Sequence, residues 1–262
     1  MNSESIWKEY EKTISYKSSI GLYDEVEQNQ DFYVGEHWKW IVAPHIDKPV
    51  INIVRQATDY AVSNIVSDDI AIRCDLEDIE DEDTRKGLEY VTSQGINQVF
   101  EQTKFRENTR LFIKDCAIAG DAFFHWWYDT SLNLDGKHKG AINLELIDTI
   151  NVGFGNPAEQ DEQKQPYILI IQKLPLEEVQ KMVPESEKDN IKADGEYGSY
   201  GYSEASAVQN YVTVITKLWK LNGFVWHCKT TEKVMIDQPS NLGLRLYPVA
   251  KMSWKRVKNS YH

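Results

Sequence analysis

The stretch "FRENTRLFIKDCAIAGDAFFHWWYD", Phe105 to Asp129, contains the change of pattern on which the fold turns. Its first part places Phe105, Phe112, Cys116 and Ala119 at three-and-four spacing, which predicts a helix. Gly120 is a natural C-cap for that helix. From Asp121 the pattern switches, and "AFFHWWYD" is aromatic and strand-like. Residues 1–120 read as mainly helical and residues 121–262 as mainly β. Helices first and strands afterwards predict an α+β fold with a mostly antiparallel β region.

Upstream of the switch, the first twenty residues read as a polar helix with Ile6, Tyr10 and Ile14 at four-residue spacing. Pro44 and Pro49 in "APHIDKP" exclude a continuous helix there. "VINIVRQATDYAVSNIV" then places Val54, Ala57, Ala61, Ile65 and Val66 on one amphipathic stripe. A further helix is predicted from Thr84 to Gln102 through Leu88, Val91, Val99 and Phe100, although Gly87 and Gly95 weaken it. Downstream, "AINLELID" and "PYILIIQKL" read as strands, and "LEEVQKMV" as a short helix bounded by Pro175 and Pro184. The stretch from 185 to 206 is rich in Gly, Ser and charge without periodicity, which predicts a long mobile loop open to proteolysis. "NYVTVITKLWKL", Asn222-Gly223 and "FVWHCKTTEKVMI" form the clearest hairpin, and "YPVAKMSWK" is the last strand. There are no internal repeats and no low-complexity tracts.

The 262 residues suffice to bury a sizeable core. A hydrophobic fraction of 41%, with 8 Trp and 14 Tyr, belongs to a folding chain rather than a disordered one. The net charge of −12 argues against a general grip on nucleic acid, which needs clustered Lys and Arg to displace counterions. No apolar run approaches the length of a membrane span, and the N-terminus lacks the pattern of a signal peptide. Cys74, Cys116 and Cys228 are too scattered for a disulfide framework or a zinc knuckle, which fits a reducing compartment.

The densest charge cluster is "DLEDIEDED", Asp75 to Asp83. Such carboxylates could hold Ca²⁺ or Mg²⁺, yet the turn glycine and distal Glu of an EF-hand loop are absent. An acidic linker ending as the negative first turn of the next helix is the plainer reading. His37, His45 and His125 do not share metal-ligand spacing, and His138 with Asp135 reads as turn polarity. His227 lies in the hairpin and His262 ends the chain. Cys116 sits on an apolar helix face and reads as a buried side chain rather than a nucleophile. "VGFGNP" has no helix after it and makes a poor phosphate cradle. No catalytic, cofactor-binding or metal-binding set emerges.

Two aromatic stretches remain. Alternation places Phe123, His125 and Trp127 on one face of a strand and Phe124, Trp126 and Tyr128 on the other. Aromatics on both faces suggest a strand covered on both sides rather than a platform for bases or sugars. "YDEVEQNQDFYVGEHW", Tyr23 to Trp38, mixes eight acidic or amide side chains with four aromatics. There Phe32, Tyr33 and Trp38, with Trp40 just beyond, are expected to pin a polar segment onto the body.

In their order along the chain these stretches resemble a known family. "YDEVEQNQDFYVGEHW", "KPVINIVRQATDYAVSNIVSD", "FIKDCAIAGDAFFHWWYD", "ELIDTINVGFGNP" and "QKQPYILI" together resemble portal proteins of tailed bacteriophages. The opening stretch is similar to the family's N-terminal pattern, with Phe32, Tyr33 and Gly35 ahead of Trp38. The resemblance runs from about Tyr23 onward and covers the wing. "YPVAKMSWKRVKNSYH" is similar to the approach to the stem, so the stem, clip and crown lie outside these 262 residues.

The resemblance implies a non-enzymatic subunit of a ring at one capsid vertex, the head–tail connector through which DNA is packaged and ejected. It implies self-association and contacts with capsid protein, scaffolding protein, the terminase packaging motor and head-completion proteins. Double-stranded DNA would pass without sequence-specific binding, no membrane is involved, and the location is the virion, or the host cytoplasm during assembly. An acidic chain suits a conduit along which DNA slides. With the stem missing, the isolated chain is expected to form monomers or small irregular oligomers. Two other readings are a metal-dependent nuclease using Asp75 to Asp83, and a carbohydrate-binding module using Trp126 and Trp127.

Overall fold

The computed structural model describes residues 2–39, 41–42, 44–66, 74–76, 81–130, 140–194 and 210–255. The helical half comprises α1 (Ser3–Ser19), α2 (Leu22–Val34), α3 (Ile53–Ile65), α4 (Glu82–Gln102) and α5 (Phe105–Ala119). The β half comprises β1 (Asp121–Asp129), β2 (Ala141–Ile147), β3 (Val152–Phe154), β4 (Tyr167–Pro175), a short helix α6 (Leu176–Lys181), β5 (Tyr211–Leu221), β6 (Phe224–Thr230), β7 (Met235–Asn241) and β8 (Val249–Ser253). The fold is α+β, and every strand pairing is antiparallel.

The switch at Gly120 is built as its chemistry requires. Gly120 adopts φ 90°, and its N–H donates to the Cys116 carbonyl at 2.9 Å, closing α5. The chain then turns directly into β1, the centre of a three-stranded sheet ordered β2-β1-β8. The second sheet has five strands ordered β3-β4-β5-β6-β7. The Asn222-Gly223 turn sets the β5–β6 register, with Leu221 opposite Phe224, and both turn residues take the positive φ that a tight hairpin needs.

β1 carries two cores, one on each face. Phe123 points into the contact between the sheets, among Ile147, Val152, Phe154, Ile168, Leu218 and Val225. Phe124 points the other way, against Phe112, Ile113 and Cys116 of α5 and Val62 of α3. Coverage on both sides therefore holds for the first half of the strand. It ends before Tyr128, which is exposed. α1 lies on the second sheet, with Ile6 fully buried against Leu169, Ile215 and Cys228. Gly153 permits this approach: a Cβ there would sit 2.6 Å from the Thr13 side chain.

Several expectations need correction. Residues 22–34 form a helix that the apolar spacing did not mark, because its burial rests on Leu22 and Tyr33 with Asp31 between them. Gly35, at φ 98°, ends that helix. "VGFGNP" contains strand β3, and "FVWHCKTTEKVMI" is two strands separated by a turn at 231–234. Within the stretch expected to be a loop from 185 to 206, Glu185–Asn190 form a 3-10 helix. Ile191 is buried beside Val179, Val183 and Val212. Positions 195–206 lie outside the described residues.

Candidate assembly surface

Tyr33 anchors the segment with which the portal resemblance begins. Its hydroxyl donates to Asp59 of α3 at 2.8 Å, and its carbonyl accepts from the Asn52 side chain at 2.8 Å. Asn52 also caps α3 through the Arg55 N–H. Lys114 of α5 lies over the Tyr33 ring at 5.0 Å. Burial and the Asp59 hydrogen bond push the Tyr33 hydroxyl above its ordinary range. One side chain thus ties α2, α3 and α5 together. Phe32 is exposed and Trp38 half-buried, so pinning falls to Tyr33 rather than to the whole aromatic set. Trp40 lies outside the described residues.

The apolar stripe of α3 does not face the core. Val62 is the buried residue of this helix, while Ile53, Val54, Tyr60 and Ile65 are exposed. The extended segment leading into α3 is exposed as well, with Val42 at 96%, Ile51 at 75% and Ile46 at 64%. Trp38 donates to the Pro49 carbonyl at 3.0 Å and, with His37, Ile41, Pro49 and Ile51, lines a shallow hollow of about 350 Å³. α4 adds Leu88, Tyr90 and Val91, and none of its residues is buried. Single exposed hydrophobes are ordinary, but Ile41, Val42, Ile46, Val50, Ile51, Ile53 and Val54 are exposed close together along the chain.

The other residues singled out from the sequence fall elsewhere. Asp81 caps α4, accepting from the Thr84 N–H at 3.1 Å, with Glu82 and Asp83 in the first turn. Asp75 is described too, and positions 77–80 lie outside the described residues. His37 bonds the Phe32 carbonyl at 3.0 Å, and His45 is exposed on a turn. His138, Asp135 and His262 lie outside the described residues. Cys116 is buried, and burial pushes its thiol up to about 12. Trp126 packs against Phe105 at 5.8 Å, and Trp127 stacks on His125 at 5.2 Å. Among the described residues, no three His, Cys, Asp or Glu side chains converge to hold a metal ion.

Two titrating groups escaped sequence reading, because only the packing brings their neighbours to them. Burial, and then Asp148, raise the Asp115 carboxyl of α5 to about 6, against Lys114 acting the other way. Burial, then Lys229 and His227, lower His125 to about 4. The folded state holds the Asp115 proton more tightly than the unfolded chain, so this group's stabilisation is lost as pH rises from about 4 to about 6. His125 acts oppositely, and stability rises with pH between about 4 and about 6.5. Asp115→Asn is expected to stabilise by about 1 kcal/mol at neutral pH, allowing for the partial exposure of the site. It also removes the Asp115 share of the fall in stability between about pH 4 and about pH 6. Urea unfolding at pH 4, 5, 6 and 7 checks this, and an unchanged profile would refute the assignment.

Two antiparallel sheets, one carrying α5 and the other α1, define an α+β protein with exposed apolar side chains on α3. No helix among the described residues is long and apolar enough to cross a membrane. The chain matches no known protein family and no curated protein sequence.

Proposed function

We propose that this chain is a structural, non-enzymatic subunit of a ring-shaped assembly, of the kind that portal proteins of tailed bacteriophages form for DNA packaging and ejection. The exposed apolar run from Ile41 to Val54 supports the reading best, because a subunit in a closed ring must offer its neighbours complementary surfaces. The stretches that resemble the family also belong together physically: α2, α3, α5 and β1 pack as one body through Tyr33, Val62 and Phe124. In this reading the partners are other copies of the chain, capsid and scaffolding proteins, the packaging motor and head-completion proteins. The location is the virion, and DNA slides past an acidic surface.

The test is self-association by mass photometry and sedimentation at micromolar concentration. Val42 and Ile51 are exposed, so the double change Val42→Asp and Ile51→Asp leaves folding intact while charging the surface. Each loses about 1.5–3 kcal/mol of apolar burial on association, which for the pair predicts a dissociation constant raised about a hundredfold or more. Monomers and small irregular oligomers are the expected species of the unsubstituted chain, and association that both aspartates leave unchanged would overturn the reading. So would turnover of DNA with Mg²⁺ that Asp81→Asn with Asp83→Asn abolishes.

A further inference from the structure

Lys17, in the last turn of α1, is completely buried. Its ammonium donates to the Ile150 carbonyl at 2.7 Å, and among the described residues no carboxylate pairs with it. The other ionisable groups in the seat of α1 are already engaged. Glu9 of α1 pairs with Lys217 of β5, and Lys217 in turn lies over the Tyr167 ring at 4.7 Å. Asp148, two residues before Ile150, acts on Asp115 of α5. An uncompensated ammonium in such a place is costly, whereas a neutral amine needs little more than its one hydrogen bond.

We propose that α1 is a proton-gated cover on the five-stranded sheet, seated most firmly when the Lys17 side chain is uncharged. The helix is well placed to lift as a unit. It joins α2 through Gly21, at φ 71° with open space around it. It is held to the sheet by Ile6, by Lys17, by the Glu9–Lys217 pair and by the close fit of Thr13 on Gly153. Burial alone lowers the Lys17 amine from 10.5 to about 7. A lifted α1 returns the amine to water and to its ordinary range, so lifting takes up a proton. Seating therefore strengthens as pH rises above about 7, roughly tenfold for each pH unit. Below about 7 both states carry the charge, and seating no longer changes with pH.

The structure supplies a reporter. Cys228 is fully buried under Ile6, with Trp7 and Tyr10 beside it, so lifting α1 opens the thiol to reagents. Labelling of the full chain by N-ethylmaleimide, resolved at Cys228 by peptide mass spectrometry and corrected for the thiolate fraction, reads the lifted population. From pH 7 to pH 9 the corrected rate is expected to fall about fiftyfold. In Lys17→Met the rate is expected to be low and flat. A flat rate in the unsubstituted chain, or the same slope in Lys17→Met, overturns the proposal. Should Lys17→Met fail to fold, a ¹³C-lysine NMR titration of the natural chain decides instead. A resonance titrating near neutrality upholds the gate, and one in which all lysines titrate above 10 refutes it.

Discussion

Asp121→Ala is expected to destabilise the protein by about 3–5 kcal/mol, a loss set by charge rather than by volume. Asp121 opens β1, and its carboxylate lies 3.5 Å from the Lys251 ammonium of β8, with side-chain exposures of only 2% and 5%. Lys251 also lies over the Phe154 ring at 5.8 Å. Removing the carboxylate leaves the ammonium buried without this counter-charge. The double change Asp121→Ala with Lys251→Met should cost less than Asp121→Ala alone, because no charge is then left behind. Urea unfolding midpoints of the unsubstituted chain and of these two variants measure the difference. A loss under about 1 kcal/mol for Asp121→Ala would mean that the pair behaves like an exposed one.

Phe123→Ala should cost about as much, roughly 3–5 kcal/mol, through lost burial and the cavity left behind. Phe123 is fully buried, and its ring is 5.7 Å from that of Phe154. The residues around it come from both sheets: Ile147 and Val249 from one, and Val152, Ile168, Leu218 and Val225 from the other. No other large aromatic of β1 reaches that junction, since Phe124 and Trp126 turn toward α5. Val42→Ala, at an almost fully exposed position, serves as the control and should change stability by less than about 0.5 kcal/mol. Equal effects at the two positions would contradict the placement of the core.

Much of the architecture was legible because local chemistry and tertiary need agree. Phe112, Cys116 and Gly120 announce a helix and its end, and Asn222-Gly223 announces a hairpin, since each signal acts over a few residues. α2 was not legible, because a helix that buries only one or two apolar side chains leaves almost no periodic trace. β3 is three residues long and has too few positions to show alternation. The candidate surface was half legible. The α3 stripe can be read directly, but periodicity reports that a helix has an apolar face and not what covers it.

By itself the sequence determined the α+β order, the helix-to-strand switch at Gly120, the β5–β6 hairpin and the negative first turn of α4. These follow from backbone stereochemistry, capping and alternation, which depend on near neighbours. Only the tertiary structure decided that α3 turns Val62 inward and Ile53, Val54 and Ile65 outward. It alone decided that Phe123 joins two sheets, that Lys17 is sealed beneath α1, and that Asp121 meets Lys251 across 130 positions of chain. Burial and pairing are properties of where distant segments meet, and a carboxylate or an amine shows nothing of its surroundings until the chain has closed around it.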